Sequence, residues 1–245
     1  MGNIKHSRTR NIHPIQNEIL DMPKILYVED NSSLSFVTSD QLQKRGYEVV
    51  CSSNGKDALD LFNRNNFDLC ILDVMLPEMD GFDLAKYIRK KNKQIPILFL
   101  TARSLQEDRI EGFKLGGDDY LTKPFDMLEL SLKIDVFVKR NLVNNSQNNS
   151  YKIGAYELNV TEQKLTLKDF SRPLTIKETK LLSLMAKNLN TVIRREDILM
   201  SLWGKNDYFL GRSLDVFISR LRKYLTEDNL VTIENIRGVG FKMNA

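Results

Sequence analysis

Short apolar runs alternate with longer amphipathic segments through the first half of the chain. Five such runs occur, at residues 25–28, 47–51, 68–73, 96–100 and 119–122. The segments that follow them place apolar residues every three or four positions, which is the spacing of helices that bury one face. Alternation of five strands with five helices favours right-handed parallel crossovers. The pattern therefore predicts an α/β fold with a five-stranded doubly wound parallel sheet.

A different pattern begins after residue 150. Residues 151–173 contain short runs in which apolar and polar side chains alternate, and this predicts a small antiparallel sheet. Thr175 and Glu178 have the spacing of a capping box, which predicts the start of a helix. Three helices and a closing hairpin are expected over residues 175–189, 194–202, 213–225 and 231–243. We therefore predict a second, smaller α+β domain.

Two segments carry neither pattern. Residues 1–21 are polar and basic and lack an apolar core of about 7–15 residues, so they do not form a secretory signal. We expect a disordered extension there, unless translation starts at Met22. Residues 141–150 are almost wholly Asn, Ser and Gln, which cannot bury apolar area, and this predicts a linker. The two domains are then expected at residues 22–140 and 151–245.

Charge and the rarer residue types narrow the possible functions. Residues 22–138 hold 15 Lys or Arg and 19 Asp or Glu, whereas residues 151–245 hold 16 and 11. This division favours nucleic acid as a partner of the second half only. Both histidines lie in the first 21 residues, so the folded body has no His for acid–base chemistry or for a zinc site. The two cysteines fall in predicted strands, which fits a reducing cytoplasm.

Polar side chains stand where the predicted parallel strands end. Asp73 ends the third strand, Glu29 and Asp30 follow the first, Thr101 ends the fourth, and Lys123 follows the fifth. The carboxyl ends of parallel strands share one edge of the sheet, where ligands bind. Converging carboxylates repel one another unless a cation is bound, and Mg²⁺ accepts carboxylate, water and phosphoryl oxygens. Any one of these residues alone could be a turn or cap residue. Together they predict a phosphoryl-transfer site at Asp73.

The motifs at these strand ends resemble those of OmpR/PhoB-type two-component response regulators. They are Val28-Glu29-Asp30, Leu72-Asp73-Val74-Met75-Leu76-Pro77, Leu100-Thr101-Ala102-Arg103, Asp118-Asp119-Tyr120-Leu121-Thr122-Lys123-Pro124-Phe125 and Arg237-Gly238-Val239-Gly240-Phe241. Residues 22–140 resemble the receiver domain, which has a flavodoxin- or CheY-like fold. Residues 151–245 resemble the C-terminal winged-helix DNA-binding domain. The resemblance covers the chain except for the extension and the linker.

This resemblance implies a phosphoacceptor site. Asp73 would accept a phosphoryl group from the phosphohistidine of a partner sensor histidine kinase. Mg²⁺ would be held by Glu29, Asp30, Asp73 and the main-chain oxygen of Met75. Thr101 and Tyr120 would form the switch pair, and Lys123 would bind the phosphoryl group. The family consists of cytoplasmic transcription regulators rather than enzymes, and no membrane partner is expected because no apolar run reaches the length of a span.

The resemblance also implies how the signal would leave the receiver. A homodimer would form on activation through residues Arg109, Asp118, Asp119, Glu129, Lys133 and Arg140. The loop over residues 203–211 resembles the loop with which family members approach RNA polymerase. Double-stranded promoter DNA would be bound by the third helix of the second domain and its hairpin, through Arg212, Ser213, Phe217, Arg220, Arg222, Lys223 and Arg237. Arg220, Arg222 and Lys223 are expected on the outer face of that helix.

Two other functions remain possible. One is a DNA-binding regulator of the same fold that works without phosphorylation; a lost pocket residue would favour it, and no pocket residue is lost. The other is a haloacid-dehalogenase-like phosphatase, which also uses an Asp nucleophile at a strand end. That class needs a second Asp two residues later as acid and base, and Met75 stands there.

Overall fold

The computed structural model describes residues 22–101, 112–113, 115–138, 150–204, 206 and 208–245. The predicted extension over residues 1–21 and the linker up to residue 149 lie outside the described residues. So do Arg109 and Arg140, and most of the helix that was expected over residues 105–115.

A five-stranded parallel sheet forms the centre of the first domain. Its strands are β1 (Lys24–Val28), β2 (Glu48–Ser52), β3 (Leu69–Asp73), β4 (Ile97–Thr101) and β5 (Asp119–Thr122). Their order across the sheet is β2-β1-β3-β4-β5, and every neighbouring pair is parallel. This confirms the predicted doubly wound sheet. It also brings the carboxyl ends of β1, β3, β4 and β5 to one edge.

Helices cover both faces of this sheet. They are α1 (Ser32–Gln43), α2 (Gly55–Arg64), α3 (Gly81–Lys91) and α4 (Met127–Val138). Successive strand residues point to opposite faces, so Leu26 and Val28 enter one apolar cluster whereas Ile25 and Tyr27 enter another. The side chain of Asn31 accepts the backbone N–H of Leu34 and caps α1, as its position before the first apolar turn predicts.

The second domain has the α+β composition predicted for it. A four-stranded antiparallel sheet, β6 (Ser150–Ile153), β7 (Tyr156–Asn159), β8 (Lys164–Leu167) and β9 (Phe170–Pro173), precedes three helices, α5 (Ile176–Lys187), α6 (Arg195–Trp203) and α7 (Tyr208–Tyr224). A second sheet has the order β10-β12-β11, with β10 at Val192–Arg194, β11 at Thr232–Ile236 and β12 at Gly240–Asn244. Thr175 and Glu178 form the predicted capping box at the start of α5.

Helix α7 begins at Tyr208, five residues before the predicted start, and the expected loop over residues 203–211 is correspondingly shorter. Gly211 was expected to end that loop, but it lies inside the helix. A single glycine costs a helix about 1 kcal/mol and does not end it. Burial of Leu210 and a hydrogen bond from Arg195 to the Gly211 carbonyl stabilise this first turn.

Gly238 and Gly112 are among the described glycines at which a larger residue would meet strain or overlap. Gly238 has a φ of +74° at the tip of the β11–β12 hairpin, in the left-handed region that favours glycine. At Gly112 an added Cβ would overlap the hydroxyl of Tyr120. No helix in the described part of the chain is both long and apolar enough to cross a membrane.

Candidate functional site

Three carboxylates meet at the carboxyl edge of the parallel sheet. Oxygen atoms of Glu29, Asp30 and Asp73 all lie within 4.8 Å of one another. They converge because β1 and β3 are neighbours in register and end at the same level. Glu29 and Asp73 are buried, with 1% and 5% of their surfaces exposed, whereas Asp30 is exposed. The structure therefore brings together the acids that the sequence analysis placed at strand ends.

Lys123 supplies a positive charge at the centre of this group. Its Nζ lies 2.6 Å from Asp73 Oδ2 and 2.5 Å from Glu29 Oε2. Burial by itself would lower the pKa of Lys123, but hydrogen bonds to the two carboxylates raise it above its usual value. Burial raises the pKa of Glu29, and the ammonium of Lys123 opposes that shift. Lys123 thus balances the charge of carboxylates that would otherwise repel one another.

The donor set of this cluster fits a hard divalent cation. Carboxylate oxygens are the ligands that Mg²⁺ prefers, and Mg²⁺ needs few of them because it retains several waters. The backbone N–H of Met75 donates to Asp73 Oδ1 at 3.0 Å, which holds the Met75 main chain close to that carboxylate. Glu29 accepts the backbone N–H of Asn31 at 3.3 Å and the Tyr27 hydroxyl at 3.5 Å. Asp73 and Glu29 are therefore held in place by hydrogen bonds from neighbouring residues of their own strand ends.

Thr101 and Tyr120 are both buried next to this edge, with 2% and 4% of their surfaces exposed. The carbonyl of Thr101 accepts the backbone N–H of Lys123 at 2.8 Å, so the ends of β4 and β5 are joined beside the acids. The ring of Tyr120 stacks on Phe99 at a centroid distance of 5.0 Å and contacts Phe113 at 4.9 Å. Sequence analysis did not single out Phe113.

Asp118, Asp119 and Lys133, three of the residues predicted for a dimer interface, make ion pairs within this chain. Asp118 is buried and accepts Arg89 at 2.7 Å and the backbone N–H of Ile97 at 3.0 Å. Asp119 pairs with Lys133 at 2.8 Å. Glu129 is exposed on α4. Pairing of these residues across two copies of the chain stays a prediction.

A basic groove lies between the start of α6, the start of α7 and the β11–β12 hairpin. Its volume is about 760 Å³, and the arginines that line it are Arg194, Arg195, Arg212 and Arg237. Arg195 also pairs with Asp215 at 2.8 Å, which fixes α6 against α7. Sequence analysis missed Arg194 and Arg195, although two adjacent arginines where a helix starts are a visible signal. Arg222 and Lys223 are exposed near the end of α7, as predicted.

Three of the residues predicted to contact DNA lie outside this basic groove. Ser213 and Phe217 are buried, with 1% and 0% of their surfaces exposed. Arg220 was expected to point outward, and in this conformation that expectation is wrong. Its Nη1 lies 3.3 Å from Glu178 Oε1, and its Nη2 donates to the carbonyl of Phe113 at 2.5 Å. Helical spacing identifies the outer face of α7, but it does not reveal that another domain covers part of that face.

Two family models match the chain. The model described as "Response regulator receiver domain" matches residues 25–135, and the one described as "Transcriptional regulatory protein, C terminal" matches residues 171–243. The transcriptional regulatory protein RprY of Bacteroides fragilis is 41% identical over 221 residues, which are 90% of this chain and 94% of the relative. The chain belongs to the OmpR/PhoB family of two-component response regulators.

Other relatives agree with this assignment. The heme response regulator HssR of Staphylococcus saprophyticus is 35% identical over 91% of this chain and 99% of its own. A solved structure of a RitR mutant covers 90% of this chain and 98% of its own, with a TM-score of 0.69 and 24% identity, and it supports the fold alone. The chain is thus a two-component transcriptional response regulator with a receiver and a DNA-binding domain.

Proposed function

We infer that Asp73 of this response regulator accepts a phosphoryl group from a sensor histidine kinase and that the modification controls binding to promoter DNA. The observation that carries this inference is the convergence of Glu29, Asp30 and Asp73 around Lys123, whose Nζ lies 2.6 Å from Asp73. We take residues 22–140 as the receiver, 141–150 as the linker, 151–245 as the DNA-binding domain and residues 1–21 as an extension.

The transfer is a displacement at phosphorus. A carboxylate oxygen of Asp73 forms the new P–O bond while the P–N bond to the kinase histidine breaks and its electron pair returns to the imidazole. Glu29, Asp30, Asp73 and the Met75 carbonyl would hold Mg²⁺, which would supply positive charge to the phosphoryl oxygens. Lys123 is poised to exchange a carboxylate partner for a phosphoryl oxygen, because both are anionic acceptors within its reach. Thr101 contributes a hydroxyl donor.

The product carries about two negative charges and strong acceptor oxygens at a buried position. Lys123 and Thr101 are drawn toward it, and Tyr120 changes position in response, as the family resemblance implies. Dimerisation through the Asp118, Asp119, Glu129 and Lys133 surface then follows, with Arg109 and Arg140 as further members. The phosphatase alternative lacks its second acid at Met75, and the intact set of pocket residues does not favour a regulator without phosphorylation.

DNA binding is proposed for the basic groove and the exposed end of α7. Arg212, Arg222, Lys223 and Arg237 are exposed arginines and lysines around that surface. In a winged helix, such a helix enters the major groove while the hairpin meets phosphate or the minor groove. Ser213, Phe217 and Arg220 also belong to α7, and Phe217 supports this helix from the core. RNA polymerase is proposed to approach the segment between α6 and α7, and the cytoplasm is the compartment in which these partners meet.

Intact mass measured with Mg²⁺ and acetyl phosphate tests the site. Wild type should gain one phosphate, about 80 Da, and Asp73→Asn should gain none, since an amide cannot attack phosphorus. Asp60→Asn, an exposed change on α2, is the matched control and should gain phosphate like wild type. Uptake by Asp73→Asn would contradict the assignment of the phosphoacceptor.

A binding measurement on the same samples tests the output. Duplexes selected from random-sequence DNA should bind the phosphorylated wild type more tightly than the unphosphorylated protein. An equal affinity of both forms would contradict control by phosphorylation while leaving the site at Asp73 intact.

A further inference from the structure

Tyr27 brings a hydroxyl group into an apolar part of the receiver. It lies in β1 with none of its surface exposed, and its ring packs in a cluster that includes Leu42 of α1 and Ile134 of α4. The other buried members of this cluster, among the described residues, are aliphatic side chains and Phe137. A phenylalanine would fill nearly the same space, and a buried hydroxyl costs free energy unless it is hydrogen-bonded. Packing alone therefore does not explain the hydroxyl.

The acidic cluster supplies the partner of this hydroxyl. Side chains two positions apart in an extended chain point to the same side, so Tyr27 lies on the side of Glu29, which directly follows β1. The Tyr27 hydroxyl donates to Glu29 Oε2 at 3.5 Å. The same oxygen lies 2.5 Å from Lys123 Nζ, and Oε1 accepts the backbone N–H of Asn31 at 3.3 Å. Three donors thus hold Glu29, and Tyr27 is the one that reaches it from the core.

The orientation of Glu29 decides whether the three acids can share one cation. A glutamate side chain has several rotatable bonds, and only some of its rotamers keep an oxygen within 4.8 Å of oxygens of Asp30 and Asp73. Lys123 attracts the Glu29 carboxylate but also neutralises it, and thereby competes with a cation. The hydroxyl of Tyr27 carries no net charge, so it can orient the carboxylate without that competition.

We propose that Tyr27 is a positioning residue for the cation site, because its hydroxyl orients the Glu29 carboxylate for Mg²⁺. This role rests on the proposed function, since the cation is the one assigned there to phosphoryl transfer. Removing a hydrogen-bond partner of a metal ligand typically lowers metal affinity by about 10–100-fold. For a neutral donor at 3.5 Å we expect about tenfold, the lower end of that range. The effect is expected on cation binding and not on the attack by Asp73, because the hydroxyl donates to Glu29.

Tyr27→Phe tests this role, because it removes the hydroxyl and keeps the ring. Tyr47→Phe is the matched control, since Tyr47 packs against the same apolar cluster and its hydroxyl donates to Asp135 Oδ1 at 2.6 Å, at the opposite edge of the sheet from the acids. The shift of the melting temperature with Mg²⁺ concentration reports the affinity for the metal alone. Tyr27→Phe should bind Mg²⁺ about tenfold more weakly than wild type, and Tyr47→Phe should bind it equally well.

Stability and cation binding are separated by this pair of variants. Each change removes one hydrogen bond to a carboxylate, so both should lower the melting temperature when no cation is added. A Mg²⁺ affinity of Tyr27→Phe equal to or tighter than that of wild type would overturn the proposal. An equal loss of affinity in both variants would also overturn it, because the loss would then follow from general destabilisation.

Phosphate uptake from acetyl phosphate gives a second readout. For Tyr27→Phe the Mg²⁺ concentration at half the maximal rate should rise about tenfold, whereas the rate at saturating Mg²⁺ should equal that of wild type. A defect of folding would instead lower the rate at every Mg²⁺ concentration without moving the half-maximal point. That second pattern would contradict a positioning role.

A double-mutant cycle shows whether Tyr27 acts through Glu29. Glu29→Gln should weaken Mg²⁺ binding by itself, because it removes the negative charge of one ligand. Adding Tyr27→Phe to this variant should cause little further loss, since effects that pass through one shared residue are not additive. A full additional tenfold loss would show that Tyr27 does not act by orienting Glu29, and would overturn the proposal.

Failure of the proposed function gives a different result. If wild type binds Mg²⁺ but takes up no phosphate, phosphoryl transfer to Asp73 is refuted, while the Mg²⁺ affinities of Tyr27→Phe and Tyr47→Phe still decide the role of Tyr27. If wild type binds no Mg²⁺, the positioning role is overturned together with the cation site.

Discussion

Lys123 affects the acidic cluster of Glu29, Asp30 and Asp73 in two opposite ways. It stabilises Glu29 and Asp73 when no cation is bound, and it occupies carboxylate oxygens that a cation would need. The lysine and the cation therefore compete for the same anionic site, whereas the phosphoryl group needs both of them. Because this competition depends on the charge of Lys123, it can be tested by removing that charge.

Lys123→Met should bind Mg²⁺ several-fold more tightly than wild type and should take up phosphate more slowly. The competing ammonium is gone, but so is the positive charge that faces the phosphoryl group. The shift of the melting temperature with Mg²⁺ concentration reports the affinity, because a ligand that binds the folded state stabilises it by mass action. Lys133→Met, which removes a lysine paired with Asp119 outside the cluster, is the control. Weaker Mg²⁺ binding by Lys123→Met would show that Lys123 does not compete with the cation.

The buried side chain of Lys177 leads to a prediction of how the stability of the fold depends on pH. Burial lowers its pKa to about 8 from 10.5, even though Asp119 nearby favours the charged form. Between pH 8 and 10.5 the unfolded chain keeps a proton that the folded chain has lost, so raising the pH stabilises the fold. Each pKa unit corresponds to about 1.4 kcal/mol, which sets an upper limit of about 3 kcal/mol for this gain.

Urea unfolding at pH 7.5, 9 and 10 should therefore show wild type gaining stability relative to Lys177→Met as the pH rises. Titrating groups that the two proteins share cancel in this difference. Lys187→Met, an exposed change on the same helix, should follow wild type at every pH. Parallel curves for wild type and Lys177→Met would rule out a lowered pKa for Lys177.

At the scale of elements, the strands of the first sheet could be predicted because their environment is uniform. Every residue of β3 and β4 is buried, so both strands are apolar almost throughout. Strand β10 could not be predicted, because it has three residues and is defined by pairing with β12, some 50 positions away in the chain. The contact between the rings of Phe113 and Phe217 also joins residues far apart in the sequence, and no local periodicity predicts it.

The capping box of α5 is an element that the sequence does reveal, and it can be tested. Thr175 accepts the backbone N–H of Glu178, and Glu178 accepts that of Thr175. Thr175→Ala leaves the backbone N–H of Glu178 without its acceptor at a buried helix start and should lower the free energy of unfolding by about 1–2 kcal/mol. Thr161→Ala, an exposed change in a turn, should cost about 0.5 kcal/mol or less in the same urea titration. Equal losses in both variants would mean that the cap contributes nothing.

At the scale of the whole molecule, two partners compete for one region of the receiver: a second receiver and the DNA-binding domain of the same chain. Asp118, Asp119 and Lys133 belong to the predicted dimer surface, yet the electrostatic environment of Asp119 already includes Lys177 of the DNA-binding domain. The acid is held in its charged form by Lys177 and Lys133 together, which opposes the effect of burial and lowers its pKa. A second receiver and the second domain therefore compete for neighbouring residues.

Glu129 allows the predicted dimer surface to be tested, since it is exposed on α4 and belongs to that surface. Glu129→Arg reverses a charge there and should weaken dimerisation of the phosphorylated protein by about tenfold or more, because like charges across an interface repel. Phosphate uptake should remain as in wild type. Glu157→Arg, an exposed reversal on β7, is the control and should still dimerise.

Sedimentation of the phosphorylated proteins measures the outcome. A Glu129→Arg protein that takes up phosphate but stays monomeric would place Glu129 in the dimer interface. A dimer as stable as that of wild type would remove Glu129 from the interface.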